Sequence, residues 1–259
     1  MDIHYHYKNL IATITLARPE KRNALTSAML HQLHDCLKQA ARESDARLLV
    51  LQAEGSAFCA GMDLGEMQQR AEQSDAEQLW QADSQVYRDV LVALLESPVP
   101  TLAVVRGSAV AGGMGLVLAC DLVAADQQAR FALPEPRRGI VAGMVIPLLL
   151  YRAGVAAANH LLISTETIDA QQACQFQIVH VLAEVADFSR RLEEYQQAIL
   201  SAAPAAIRGT REQLRRFSQA ELIQQIDASV TVSAVARQSA EAREGLAAFL
   251  EKRPATWQH

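Results

Sequence analysis

Residues 99–139 read VPTLAVVRGSAVAGGMGLVLACDLVAADQQARFALPEPRRG, and the way this stretch divides decides the fold. Thr101 to Val105 is a short apolar run preceded by Pro98 and Pro100, which predicts a buried strand. Gly107, Ser108 and Ala109 form a small-residue turn, followed by Ala111-Gly112-Gly113. Met114 to Ala119 is long enough for one or two turns of buried helix. Glycine has no Cβ, so a ligand can approach the backbone closely at Gly112 and Gly113. Amides at a helix start lack intrahelical partners and sit at the positive end of the helix dipole. Strand, glycine turn and helix start together make a seat for a negatively charged oxygen. Downstream, Phe131-Ala132-Leu133-Pro134-Glu135 sets one carboxylate in an apolar setting. The pattern is not a phosphate-binding P-loop, because Gly113-Met114 stands where Lys-Ser/Thr is needed. Nor is it a dinucleotide fingerprint, since Gly113-x-Gly115 lacks the third glycine. Read locally, it is either an anion site or a close packing of helix on strand.

The 259-residue chain is 50% hydrophobic and 20% charged, with a net charge of −5. That length suits one large domain, or one domain with a smaller appendage. Nothing supports a nucleic-acid partner, which would need a basic stripe. Cys36, Cys59, Cys120 and Cys174 form no CxxC pair and are expected as free thiols in a reducing compartment. No basic-then-apolar leader opens the sequence, and Gly139 to Tyr151, the longest apolar run, contains Pro147 and is short for a bilayer. We expect a cytoplasmic protein with no membrane partner.

Residues 3 to 16 alternate loosely around Lys8-Asn9, which predicts a hairpin. Thr26 is a candidate N-cap for a helix from Ser27 to about Glu43, with Leu30, Leu33, Leu37 and Ala40 or Ala41 on one face. His4 with His6 and His31 with His34 are spaced as metal pairs, but neither has a third ligand nearby, and no metal is expected. Leu48 to Leu51 reads as a strand, Ala53 to Leu64 as a loop (AEGSAFCAGMDL) and Ser74 to Glu96 as a long helix. Two strand–loop–helix units in succession predict an α/β fold with a mostly parallel sheet. From about Val141 onward the chain reads as nearly all helical, with helices at 185–201, 204–217, 219–237 and 239–252.

Four stretches together resemble the crotonase superfamily, the enoyl-CoA hydratase/isomerase family. They are Arg18-Pro19-Glu20-Lys21-Arg22-Asn23-Ala24-Leu25, Ala57 to Leu64, Gly107 to Asp121, and Phe131 to Glu135, and Glu244 to Pro254 resembles the family's C-terminus. The resemblance implies a spiral of ββα units over residues 1–200 and a C-terminal helical trimerisation region over 201–259. It implies a homotrimer or dimer of trimers that binds an acyl-CoA thioester, with no cofactor beyond the coenzyme A of the substrate. The family stabilises an enolate with two backbone amides, which here fall on Met62 and Gly112. Lys21, Arg22, Ala60, Asp63, Leu64, Gly113 and Gly115 are the implied substrate and CoA contacts, and Glu135 the implied acid/base. Relatives that hydrate place a second glutamate one helical turn beyond Gly112, where this chain has Gly115; Gly143 stands where dienoyl isomerases place an aspartate. A single glutamate favours double-bond isomerisation slightly over hydration. Decarboxylation, thioester hydrolysis and a non-catalytic CoA-binding or structural role remain open. Arg137 and Arg138 are candidates for a carboxylated acyl group, or simply face solvent.

Overall fold

The computed structural model describes residues 1–258, with Ser218 described by its backbone alone. β1 (Ile3–Lys8) and β2 (Ile11–Leu16) form the expected antiparallel hairpin, with Asn9 and Leu10 at positive φ in its turn. α1 (Ser27–Arg42) begins at Thr26, whose Oγ1 accepts the Met29 amide at 3.1 Å, and buries Leu30, Leu33, Leu37 and Ala40. β3 (Leu48–Ala53), β4 (Ala57–Cys59), α2 (Leu64–Ala71) and α3 (Ala76–Leu95) follow. Next come β5 (Thr101–Val105), β6 (Ser108–Val110) and α4 (Gly112–Ala119). β7 (Leu122–Asp126) and β8 (Arg130–Ala132) lead to a 3-10 turn at Glu135–Arg138 and then to α5 (Val145–Asn159). β9 (Ile168–Asp169), α6 (Ala170–Gln175), β10 (Val181–Ala183), α7 (Phe188–Ser201), α8 (Pro204–Ala236) and α9 (Ala240–Leu250) complete the order.

Two sheets stand side by side. One has the order β1-β2-β3-β5-β7-β10 and is parallel from β2 onward; the other has the order β4-β6-β8-β9 and is parallel except at β8–β9. The pairs β3–β4, β5–β6 and β7–β8 each give one strand to each sheet before the chain turns helical. That is the ββα spiral implied by the resemblance, and the fold class is α/β. The inner strands β3, β5 and β7 are buried on both faces, which is why they read as unbroken apolar runs, whereas β1 and β2 alternate. Leu49 and Leu51 join the principal core, while Leu48 and Val50 pack with Leu102, Val104 and Phe188 on the opposite face.

Three details depart from the sequence reading. The stretch read as a loop from Ala53 to Leu64 contains β4, and α2 begins at its end; β4 is only three residues long, too short to show a period. The helices expected at 204–217 and 219–237 are one helix of 33 residues, α8; no glycine or proline interrupts Phe217-Ser218-Gln219. Val145–Ser164, formed by α5 and a π-helical turn at His160–Ser164, is by length and composition alone long and apolar enough to cross a membrane. In the fold it packs against α4 and α8, and Gly154 (φ 74°, ψ 175°) breaks its regularity.

The C-terminal helices close over the core. α8 lies along α3 and α5, while α9 packs on α2 and on the turn Glu135–Arg138. A Cβ built on Gly245 would lie 2.5 Å from the Arg138 carbonyl, so α9 sits this close to the turn only because residue 245 is glycine.

Candidate active site

A cavity of about 520 Å³ opens where four segments meet: the Arg18–Leu25 loop, the β4–α2 connection, the start of α4 and the Glu135–Arg138 turn. Buried Asn23 ties the first of these to β4 and the approach to it. Its carboxamide accepts the Arg18 amide at 2.8 Å and donates to the carbonyls of Glu54 (2.8 Å) and Ala57 (2.9 Å). Leu25 then bonds on both sides of Met62, donating to the Gly61 carbonyl (2.7 Å) and accepting from the Asp63 amide (2.9 Å). The Met62 amide is left without a partner among the described residues.

Gly61, at φ +90°, draws this loop against α4: a Cβ there would lie 2.8 Å from the Ala111 Cβ and 3.4 Å from the Gly112 nitrogen. Ala111 precedes α4 at φ 53°, ψ −124°, a conformation that a non-glycine residue adopts only under constraint. The Gly112 amide opens the helix and likewise has no partner among the described residues. Two residues with unpaired N–H groups, one at the positive end of a helix dipole, therefore line one cavity.

Glu135 lines the same cavity, and its Oε2 is buried with no hydrogen-bond partner among the described residues. Burial pushes its carboxyl up from 4.5 to about 7, against the opposing pull of its own backbone amide and of the Arg138 guanidinium. Arg138 lies over the Phe249 ring, 4.1 Å from its centre, and Arg137 donates to Thr165 Oγ1 at 2.6 Å.

The other expected contacts divide. Lys21 and Arg22 are exposed on the cavity wall, and Ala60, Met62 and Leu64 line it as well. Asp63 also reaches the wall, but its carboxylate is occupied: it pairs with Arg18 at 2.7 Å and caps α2 through the amides of Gly65 (3.0 Å) and Glu66 (3.1 Å). Gly113 faces away, toward Cys59, whose carbonyl oxygen would lie 2.5 Å from an added Cβ.

Gly115 is where the structure adds most. A Cβ on it would lie 2.1 Å from the Tyr87 hydroxyl, which itself donates to the Gly112 carbonyl at 2.7 Å. The side-chain space of a residue at 115 is thus filled by a phenol from α3. No spacing in the sequence pairs positions 87 and 115, because Tyr87 reads as one more apolar residue on the buried face of a helix. Gly143 is confined in the same way, its Cβ position 2.5 Å from Ser233 Oγ on α8. Ser233 and Arg237 complete the wall and were missed for a similar reason, since polar residues on a long C-terminal helix read as a solvated face. Among the described residues no group of three or more His, Cys, Asp or Glu is placed to hold a metal.

Residues 6–259 match the family model described as enoyl-CoA hydratase/isomerase. The chain is 32% identical to the 2,3-dehydroadipyl-CoA hydratase of Escherichia coli over 251 residues, covering 94% of this chain and 93% of that protein. It is 30% identical to the 1,2-epoxyphenylacetyl-CoA isomerase of the same organism over 253 residues, covering 96% and 95%. The crystal structure of an enoyl-CoA hydratase from Mycobacterium avium superposes with a TM-score of 0.88 at 28% identity, covering 99% of this chain and 98% of that one.

Proposed function

Because the chain belongs to the enoyl-CoA hydratase/isomerase family, the crotonase superfamily, we propose that it is an enzyme acting on an acyl-CoA thioester through an enolate held by the amides of Met62 and Gly112, with Glu135 as the proton-transfer group. The observation that carries this reading is that two residues with unpartnered amides, Met62 and Gly112, and one carboxyl whose Oε2 is buried and unpartnered line a single cavity. For a 3-enoyl-CoA, the Glu135 carboxylate takes a proton from the α-carbon and the C–H electron pair passes into the thioester, whose oxygen becomes the oxyanion. The oxyanion collapses, the double bond moves to the α,β position, and Glu135 returns the proton to the γ-carbon. One base suffices, and a carboxyl near pH 7 is suited to both halves of the transfer. Losing either amide would cost on the order of 10²–10³ in rate.

Hydration is the second reading. One relative is named a hydratase and another an isomerase, and Glu135 alone would then orient the water and supply the proton. The CoA end is assigned to Lys21, Arg22, Ala60 and Leu64 on the exposed side of the cavity. We further assign a cytoplasmic homotrimer or dimer of trimers that needs no cofactor beyond the coenzyme A of its substrate. The test runs purified protein with a 3-enoyl-CoA and with crotonyl-CoA in H₂¹⁸O, read by mass spectrometry. Double-bond migration is expected to outpace ¹⁸O incorporation, and Glu135→Gln to lower kcat at least ~10²-fold in both assays. Rapid ¹⁸O incorporation without migration would replace isomerisation by hydration, and a fully active Glu135→Gln protein would remove Glu135 from the mechanism.

A further inference from the structure

The cavity wall carries a cation that proton transfer does not use. Arg237 directly follows α8, lines the cavity and is 9% exposed. Its one side-chain hydrogen bond among the described residues runs from Nη1 to Ser84 Oγ at 3.4 Å, and it forms no ion pair there. The acid whose charge reaches it, Asp83, is already paired with Arg70, which Glu66 also holds at 3.0 Å. Ser233 stands one helical turn earlier on the same face of α8, lines the cavity and is 4% exposed, with no hydrogen bond from its hydroxyl among the described residues.

A guanidinium cannot shed its proton, so burying one without a partner is costly until an anion arrives. Its planar fork of donors matches a carboxylate in bidentate fashion. Lys21 and Arg22 are exposed, whereas Arg237, Ser233 and Tyr87 are buried, which sets the cation on the buried side of the cavity. A thioester threaded from the exposed side would bring the far end of its acyl chain there. Arg137, one of the two arginines suggested by the sequence for a carboxylated acyl group, is engaged with Thr165, and Arg138 lies over Phe249.

We propose that Arg237 and Ser233 form a carboxylate-binding subsite for the distal end of the acyl chain, so that the preferred substrates are CoA thioesters of dicarboxylic acids. This rests on the reading of the cavity as an acyl-CoA site. Calorimetry with unreactive saturated thioesters tests the two separately: glutaryl-, adipyl- and suberyl-CoA against pentanoyl-, hexanoyl- and octanoyl-CoA. At least one carboxylated member is expected to bind tenfold or more tighter than its methyl-ended counterpart. Arg237→Met, shown to be folded by circular dichroism, is expected to collapse that ratio toward one, and Ser233→Ala to reduce it. Equal affinities within every pair for the native protein would overturn the subsite and leave the acyl-CoA site standing; the native comparison decides this even if Arg237→Met does not fold. An undiminished ratio in folded Arg237→Met would likewise overturn it. Failure of all six thioesters to bind would overturn both readings.

Discussion

At Glu135 the proposed chemistry and the stability of the fold pull in opposite directions. Its carboxyl titrates at about 7 in the folded protein against 4.5 ordinarily. Between those values the folded chain holds a proton that the unfolded chain has released. Stability from this group is therefore fully present below pH 4.5 and falls as pH rises through 7, by roughly 3 kcal/mol in total. Glu135→Gln cannot ionise, so its stability relative to the native protein is expected to improve between pH 5 and pH 8, measured by denaturant titration. A pH-independent difference would show that the carboxyl is not desolvated. Proton abstraction needs the carboxylate, so kcat/KM is expected to rise through about pH 7 in the same protein. Gly115 and Tyr87 form a second residue-scale unit. Gly115→Ala puts a methyl group 2.1 Å from the Tyr87 hydroxyl, an overpacking expected to cost about 1–3 kcal/mol. Tyr87→Phe is expected to cost about 1 kcal/mol by removing the hydroxyl's hydrogen bond to the Gly112 carbonyl, and to make Gly115→Ala far better tolerated. Additive effects in the double variant would rule out the contact. Gly115→Glu likewise has no room unless Tyr87 is also shortened.

At the level of elements, α9 acts as a wedge holding the Glu135 turn. Two effects compete at Gly245→Ala. Alanine in a helix interior favours the helix by about 1 kcal/mol, but here the added methyl would lie 2.5 Å from the Arg138 carbonyl. Backbone cannot yield as a flexible side chain does, so the clash is expected to win, with overpacking costing about 1–3 kcal/mol. The prediction is a lower melting temperature with helix content retained, and a kcat reduced at least tenfold, because α9 must lift off the turn that carries the acid. A variant as active and stable as the native protein would show that α9 does not position Glu135. The Arg18–Leu25 loop works by a different device, a buried amide: Asn23 ties the loop to β4 and the approach to it through three hydrogen bonds.

Over the whole molecule, α5, its π-helical extension and α8 leave apolar side chains in water. Val155 is 64% exposed, Ile163 77% and Phe217 86%. These three side chains are the candidate contacts of the proposed assembly. Light scattering is expected to give a mass of three chains or a multiple of three, and Phe217→Asp to shift the population toward smaller species. A monomer for the native protein at micromolar concentration would overturn the assembly.

What the amino-acid order determined by itself is local. The Lys8-Asn9 turn, the Thr26 cap, the apolar face of α1 and the buried strand after Pro100 all follow from propensity and period within a few residues. The family motifs likewise mark Met62, Gly112 and Glu135, because each sits in a contiguous run whose backbone geometry demands small or apolar neighbours. What only the tertiary structure decided is which distant side chains share a volume. Tyr87 fills the place of a side chain at 115, Ser233 that of one at 143, and Arg237 reaches the cavity from a helix more than a hundred residues away in the chain. Strands of three residues carry no readable period, so β4 and β6 of the second sheet read as loop and turn before folding, although the stretch from Ala129 to Leu133 around β8 reads as a strand. Steric exclusion and charge pairing act through space rather than along the chain. The sequence therefore marks the amides and the carboxyl of the proposed site, while the packing of α3 and α8 shapes the pocket between them.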